Sequence, residues 1–330
     1  MIKICTQKFL PRNENILNSL DNNNKLRAAL YTSLKWPIYE ISVINVYFLN
    51  PSDSLTIPRT KYFSSTFKDK NGFILSVDPL QTKIDNENIS VIDSIKLIIN
   101  ERYNKFIGLT FNFDNVKPET SHIRISFDKY TGSWSFLGTE CLSMGNVNTS
   151  TMNFAWFDVA TVLHEFGHAL GYIHEHQNPD NIPIQWNKPE VYKWAYENYG
   201  WDESKTNKNI FDQYNKNNLN STKFDPKSIM LYFFPSFITL DNKGTTQNLI
   251  LSSYDVLMLA NQYPIDKNTQ PDKLLPREFY KKVYNTDIPD FLNESDKGVQ
   301  VATFRNYGPI LIYIIIGLIV FIILFLFILK

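Results

Sequence analysis

The chain has 330 residues, of which 43% are hydrophobic and 20% are charged, a composition typical of a globular protein rather than a disordered one. Lys and Arg together number 33, as do Asp and Glu, and this balance argues against nucleic acid as a partner. The two cysteines, Cys5 and Cys141, allow at most one disulfide, and their scarcity favours a reducing compartment. Residues 1–20 contain no apolar run of the length that a signal peptide needs.

Composition divides the chain into four regions. Residues 1–25 are polar and rich in asparagine, and we expect a loose N-terminal arm. Residues 26–265 alternate apolar runs with turns and hold every candidate for chemistry, so we expect one large domain there. Residues 266–307 carry several Pro, Asp and Lys residues and are typical of a linker or stalk. Residues 308–330 form a separate apolar segment.

Within the large domain, hydrophobic periodicity predicts both strands and helices. Alternating apolar residues predict strands over residues 41–48, 109–113 and 122–127. Apolar residues at three- and four-residue steps predict a long amphipathic helix over residues 90–106, and shorter helices over 157–170 and 253–263. Because strands and one long helix come before residue 164 and mostly irregular chain follows it, the expected fold class is α+β.

The densest chemistry lies in residues 164–174, which read HEFGHALGYIH. His164 and His168 are four apart, so on a helix they lie on one face and can offer ring nitrogens to one metal ion. His174 follows six residues later and would point elsewhere if the helix continued. The helix must therefore end, and Gly171 stands where the chain has to turn, since glycine reaches positive φ at little cost.

Three imidazoles with one open position suit a single catalytic Zn²⁺ ion, whereas structural zinc sites use four protein ligands, often cysteines. Glu165 directly follows the first histidine, and its carboxylate can take a proton from a water that zinc has acidified toward a pKa of ~7. The alternative is that these histidines are ordinary structural residues. The chain has five histidines, and His122 is the one outside residues 164–176, so chance is a poor explanation. We expect His122 to be structural.

Residues 164–176, HEFGHALGYIHEH, resemble the zinc signature of the metzincin peptidases, and Glu175 after the third histidine resembles the astacin branch. Residues 225–232, DPKSIMLY, resemble the Met-turn that follows the zinc helix in that family. The resemblance, which covers residues 26–264, implies a two-lobed zincin domain with a mixed sheet plus helices and the zinc at the base of a cleft. It also implies an endopeptidase whose substrate is an extended polypeptide that pairs with the strand near residues 135–138.

The same resemblance assigns roles to individual residues. It implies that His164, His168 and His174 bind the zinc, that Glu165 is the general base, and that Tyr232 reaches the zinc or steadies the oxyanion. Met230 would form a hydrophobic floor beneath the metal, although simple core packing would look the same. A core aromatic role for Tyr232 remains open.

Several positions depart from the family pattern. Leu231 stands where astacins commonly have histidine, and the disulfides of secreted astacins and an evident propeptide are absent. Cys5 could cap the zinc, although a lone N-terminal cysteine is more often inert. Without a propeptide to release a new N-terminus, Glu175 is expected to bond to other groups. His176 is expected either beside the ligands or at the surface.

Residues 310–329, ILIYIIIGLIVFIILFLFIL, are apolar throughout and predict a transmembrane helix. About 20 residues at a helical rise of 1.5 Å span roughly 30 Å, the thickness of the bilayer's hydrocarbon core. A buried core helix is the alternative, but such helices seldom lack polar side chains over this length. Lys297 and Arg305 precede the segment and Lys330 follows it, which favours a single-pass tail anchor with the catalytic domain in the cytosol.

Two other functions fit a chain of this kind. One is a membrane-anchored binding protein on a catalytically dead protease fold, and the other is a structural membrane protein with an incidental protease domain. The presence of both Glu165 and Tyr232 argues against a dead site, because a site without chemistry has no use for a base.

Overall fold

A computed structural model of the chain describes residues 6–8, 30–60, 77–179, 184–215, 219–220 and 224–288. The chain separates into two compact units, Met1–Pro289 and Asp290–Lys330, and the described residues all belong to the first. The expected transmembrane segment, residues 308–330, lies outside the described residues. Among the residues that are described, no helix combines the length and the apolar character needed to cross a membrane.

A six-stranded mixed sheet forms the centre of the first unit. Its strands are β1 Thr6–Lys8, β3 Val43–Phe48, β4 Thr110–Asn112, β5 Ile123–Ser126, β6 Trp134–Phe136 and β7 Met152–Asn153, in the order β1-β6-β7-β5-β3-β4. All neighbours pair in parallel except β6 and β7, which are antiparallel. Strands β2 Leu30–Tyr31 and β8 Leu219–Asn220 form a separate antiparallel pair. The three strands expected from sequence are confirmed as β3, β4 and β5.

Seven α-helices occur among the described residues. They are α1 Pro79–Glu87, α2 Val91–Glu101, α3 Val159–Ala169, α4 Lys188–Tyr199, α5 Glu203–Thr206, α6 Ser253–Gln262 and α7 Pro276–Tyr284. The expected helices at 90–106, 157–170 and 253–263 are confirmed as α2, α3 and α6. Helices with a mixed sheet confirm the α+β class.

Helix α2 holds α3, the helix that carries the motif, against the sheet. The hydroxyl of Ser90 accepts a hydrogen bond from the backbone N–H of Asp93 and so caps the start of α2. After the helix ends, the hydroxyl of the fully buried Tyr103 donates to the carbonyl of Leu163 at 2.6 Å. This bond joins the end of α2 to α3 one residue before His164.

The N-terminal arm contains a strand that composition does not reveal. Thr6 to Lys8, within the segment expected to be loose, pair in parallel with Trp134 to Phe136. A strand of three residues carries no periodic signal, and only its long-range partner defines it. Strand β6 therefore has β1 on one side and β7 on the other. We expected a substrate peptide to pair with β6, but the structure shows β1 of the same chain paired there.

The chain after the motif is more regular than expected. Helix α4 begins with proline at its first turn and ends at Gly200, whose φ of 64° is left-handed. It packs into a second hydrophobic cluster, which contains Trp156, Trp194, Trp201, Phe234 and Ile238. The expectation of mostly irregular chain is wrong here. The buried residues of α4 pack on this cluster, and they do not form a regular apolar stripe along the whole helix, the pattern by which an amphipathic helix is recognised in a sequence.

The segment expected to be a stalk, residues 266–307, also begins inside the domain. Phe279 on α7 is fully buried, with its ring centroid 4.4 Å from that of Phe106. The ammonium of Lys273 donates to the carbonyls of Ile107 and Leu109, both at 2.7 Å. The domain boundary expected at residue 265 therefore moves to at least Ile288, which is also buried.

Candidate active site

Helix α3 carries the first two histidines of the motif and is buried on all sides. Its N-cap, Asp158, accepts a hydrogen bond from the backbone N–H of Thr161 at 2.7 Å. His164 and His168 lie on one face of the helix, with ring centroids 4.7 Å apart. The four-residue spacing thus brings two imidazoles together, as the sequence predicts.

The third histidine joins them because the chain turns at Gly171. Gly171 has a φ of 94°, a backbone conformation that favours glycine. The backbone N–H of Tyr172 bonds back to the carbonyl of Gly167, and the chain then returns past the helix end. Nε2 of His174 lies 3.0 Å from Nε2 of His168, and one ring nitrogen of each of the three histidines lies within 4.8 Å of the others. The predicted turn is confirmed.

The Nδ1 atoms of all three rings face acceptors. Nδ1 of His164 lies 2.8 Å from the carbonyl oxygen of Ile229, and Nδ1 of His168 lies 2.7 Å from that of Tyr172. Nδ1 of His174 lies 3.3 Å from the side-chain oxygen of Gln177. Because a carbonyl oxygen can only accept, each Nδ1 carries the hydrogen and each Nε2 presents its lone pair.

Burial keeps these imidazoles neutral. It lowers the pKa of His164 to about 4, and it lowers the pKa of His168 and of His174 well below the ordinary value of 6.5, with the neighbouring histidines adding to the effect. A metal binds neutral imidazole, so no proton has to be displaced at neutral pH. The buried Nε2 of His164 has no hydrogen-bond partner among the described residues. Three neutral nitrogen donors of this kind fit a zinc ion.

The Met-turn packs against α3 and contacts His164 through the carbonyl of Ile229. A Cβ atom at Gly167 would come within 2.5 Å of the sulfur of Met230, so any larger residue there would force the methionine side chain to shift. The carbonyl of Met230 accepts from the backbone N–H of Glu175 at 3.1 Å. Asp255 on α6 accepts from the backbone N–H of Ile229 at 2.8 Å and thereby holds the turn in place. Met230 thus packs against α3, and its role as a floor beneath a metal stays a prediction.

Glu165 and Tyr232 are both buried. Glu165 follows His164 on α3 and is fully buried. The Tyr232 ring lies with its centroid 4.1 Å from that of His174 and 5.9 Å from that of His164. The structure therefore brings Tyr232 to the three histidines, and Glu165 is buried next to His164 on α3.

Comparison with known proteins identifies the family. A protein-family model described as Astacin, a peptidase family, matches residues 95–257. A structure of myroilysin aligns with 72% of this chain and 99% of that chain, at 31% identity and a TM-score of 0.54. This chain belongs to the astacin family. It is accordingly a zinc metalloendopeptidase, with a polypeptide as its substrate.

Other solved structures align less well with this astacin. A crystal structure of myroilysin aligns at 28% identity and a TM-score of 0.46, over 80% of this chain and 91% of that one. High choriolytic enzyme 1, a hatching enzyme zinc-protease of the medaka fish Oryzias latipes, aligns at 15% identity and a TM-score of 0.41, over 74% and 100%. None of the curated proteins matches the chain.

Glu175 bonds to groups of the domain itself. Its Oε1 accepts from the backbone N–H of Asp225 at 2.8 Å and from the side-chain amide of Asn178 at 3.1 Å. Burial raises the pKa of Glu175 well above its ordinary value. These bonds tie the end of the zinc motif to the start of the Met-turn, which agrees with the expectation that Glu175 bonds to other groups.

His176 lies beside the ligands, not at the surface. It is buried, and its ring stacks with those of His174 and Tyr232 at centroid distances of 5.3 and 4.7 Å. Its Nε2 donates to the carbonyl of Asn209 at 2.9 Å. The sequence left open whether His176 lies beside the ligands or at the surface, and the structure places it beside His174.

The remaining candidates from the sequence lie away from this group. Nδ1 of His122 accepts from the backbone N–H of Asn45 at 2.8 Å, which confirms a structural role. Cys141 is a buried free thiol whose sulfur lies 3.3 Å from the carbonyl of Gly138. Cys5 lies outside the described residues.

Two residues that contact the site were missed by the sequence analysis. Gln177 bonds to His174, and Asp255 holds the Met-turn. Gln177 follows the motif by three residues and could have been suspected as a support for the third ligand. Asp255 lies at the start of a distant helix, and nothing in its sequence surroundings points to the turn.

Proposed function

We propose that this astacin family member is a membrane-anchored endopeptidase with His164, His168 and His174 as zinc ligands, Glu165 as general base and Tyr232 as oxyanion donor. The observation that carries the proposal is the convergence of three buried imidazole groups on one point, in ring contact with Tyr232. Two of them come from a helix and the third from the chain that returns past its end.

The reaction follows from the side chains that line this point. When bound by His164, His168 and His174, a zinc ion would supply a Lewis acid able to polarise a carbonyl and to lower the pKa of a water molecule to ~7. Glu165 then takes the water's proton and passes it to the leaving nitrogen. The hydroxyl of Tyr232 donates a hydrogen bond to the oxygen on which negative charge develops.

The substrate is proposed to be an extended polypeptide, bound in a cleft between two lobes with the zinc at its base. A peptide that adds to β6 as a new strand would be held by backbone hydrogen bonds, with side chains supplying specificity. Because β1 pairs with β6, the peptide and β1 compete for the same backbone groups.

Residues 310–329 are proposed to anchor the enzyme in a membrane as a single helix. Support comes from their unbroken apolar sequence, which is long enough to cross the hydrocarbon core. Lys297 and Arg305 precede the segment, and this positive charge favours a cytosolic catalytic domain.

The chemical assignment is tested by Glu165→Gln. This change removes the proton carrier and leaves the three histidines, so zinc content should be unchanged while cleavage falls by several orders of magnitude. Glu197→Gln, at an exposed position of α4, is the matched control and should be fully active. Profiling of new N-termini in a proteome treated with the wild type and with Glu165→Gln would name the bonds cleaved. An active Glu165→Gln enzyme would disprove the mechanism, and a wild type that cleaves nothing would favour the binding or structural alternatives.

The membrane assignment has a separate test. Deleting residues 308–330 should move the protein from the membrane fraction to the soluble fraction with its activity intact. In intact microsomes, added protease should digest the catalytic domain of the full-length protein. Protection of the catalytic domain, or glycosylation at Asn88 in the sequence Asn88-Ile89-Ser90, would place it on the lumenal side instead.

A further inference from the structure

We propose that Gln177 is a positioning residue of the zinc centre, which fixes the His174 ring so that Nε2 faces the metal. The inference rests on the proposed function, since it takes His174 as a ligand. Gln177 is buried three residues beyond His174, in the short 3-10 helix Glu175–Gln177.

The hydrogen bonds of Gln177 determine which way its amide points. The amide nitrogen donates to the carbonyl oxygens of Lys208 and Asp212, both at 2.9 Å. Those oxygens can only accept, so the NH₂ group must face them, and the amide oxygen must face Nδ1 of His174 at 3.3 Å. Nδ1 therefore carries the hydrogen, and the lone pair is on Nε2.

His174 differs from the other two histidines in how its ring is held. The rings of His164 and His168 bond to backbone carbonyls, those of Ile229 and Tyr172. His174 comes after α3 has ended and bonds to a side chain instead. A single side-chain substitution can therefore remove the hydrogen bond that orients the His174 ring, whereas the bonds that orient His164 and His168 go to the backbone.

The carbonyls that hold Gln177 belong to a well-anchored turn. Asn207–Phe211 is a short π-helix, closed by a bond of 2.8 Å from the backbone N–H of Asp212 to the carbonyl of Asn207. The hydroxyl of Tyr192 on α4 donates to the side chain of Asn207 at 2.7 Å. Ile210, within the turn, is buried in the second hydrophobic cluster. The two carbonyls that accept from Gln177 are thus held by the turn's own backbone bond and by the buried Ile210, and the bond to α4 adds to them.

Zinc affinity of the full-length chain in detergent, measured by competition with a chromogenic chelator, tests the proposal. Gln177→Leu removes both the acceptor for His174 and the donors to the turn, and zinc should bind ~10–100-fold more weakly. Gln177→Glu loses the same donors but keeps an acceptor for Nδ1 of His174, so its zinc affinity should fall less than that of Gln177→Leu. A purely structural role for Gln177 would weaken both variants equally.

Tyr192→Phe is the control for general loosening, because it frees the turn from α4 without touching Gln177. Its zinc affinity should match the wild type. The proposal is overturned if Gln177→Leu binds zinc as tightly as the wild type, if Gln177→Glu is as weak as Gln177→Leu, or if Tyr192→Phe is equally weakened. A wild-type chain that binds no zinc would instead refute the proposed function, and this inference with it.

Discussion

Individual residues in the site are placed for chemistry more than for stability. Nε2 of His164 is buried without a hydrogen-bond partner among the described residues, an arrangement that costs about 1–3 kcal/mol in a folded protein. The Nδ1 atoms, in contrast, all have acceptors within 3.3 Å. One side of each ring is thus satisfied by the protein, and the other is left for a metal.

At the residue scale, the prediction concerns Tyr232. Tyr232→Phe keeps the ring that packs on His174 and His176 and removes only the hydroxyl. We expect kcat to fall on the order of 10²-fold with zinc content unchanged, as for the loss of one oxyanion donor. Tyr196→Phe, at a position 69% exposed, is the control and should have wild-type kcat. A wild-type kcat in Tyr232→Phe would contradict the oxyanion role and support the alternative that Tyr232 is a core aromatic residue.

Secondary-structure elements differ in how far the sequence reveals them. Helix α3 and the turn at Gly171 could be predicted because metal binding requires residue types at fixed spacing. Helix α1 was missed, although Asp78 accepts from the backbone N–H of Leu80 and Pro79 opens the helix, two recognisable start signals. Helix α4 was missed because its buried residues pack on a cluster assembled from distant parts of the chain.

At the element scale, helix α7 should be an integral part of the domain. Phe279→Ala would leave a cavity against Phe106 and should lower the free energy of unfolding by about 3–5 kcal/mol. Urea denaturation followed by circular dichroism measures this, with Lys282→Ala at an exposed position of α7 as the control. A change below about 0.5 kcal/mol would restore the interpretation of this segment as a stalk.

At the scale of the whole molecule, the N-terminal strand bears on access to the site. Strand β6 pairs with β1 on one side and with β7 on the other. A peptide can therefore pair with β6 only after β1 has dissociated from it. Composition predicts a polar arm but not its partner, because pairing across more than a hundred residues has no local signal.

Removal of residues 1–9 should therefore lower KM for a peptide substrate. The expected decrease is on the order of tenfold if pairing of β1 contributes about 1.4 kcal/mol. Deletion of residues 14–22, which retains the β1 sequence, is the control for a shortened arm. An unchanged KM in a truncated enzyme that is folded by circular dichroism would mean that β1 does not compete with substrate.

Metal analysis of the purified chain tests the central claim, a zinc centre built from His164, His168 and His174. The wild type should contain one zinc ion per chain, and so should Glu165→Gln, since the glutamate is not a ligand. His174→Ala should lose both the zinc and the peptidase activity, because two imidazoles hold the ion far less tightly than three. A wild type without zinc, or a His174→Ala variant that keeps both zinc and activity, would contradict the account.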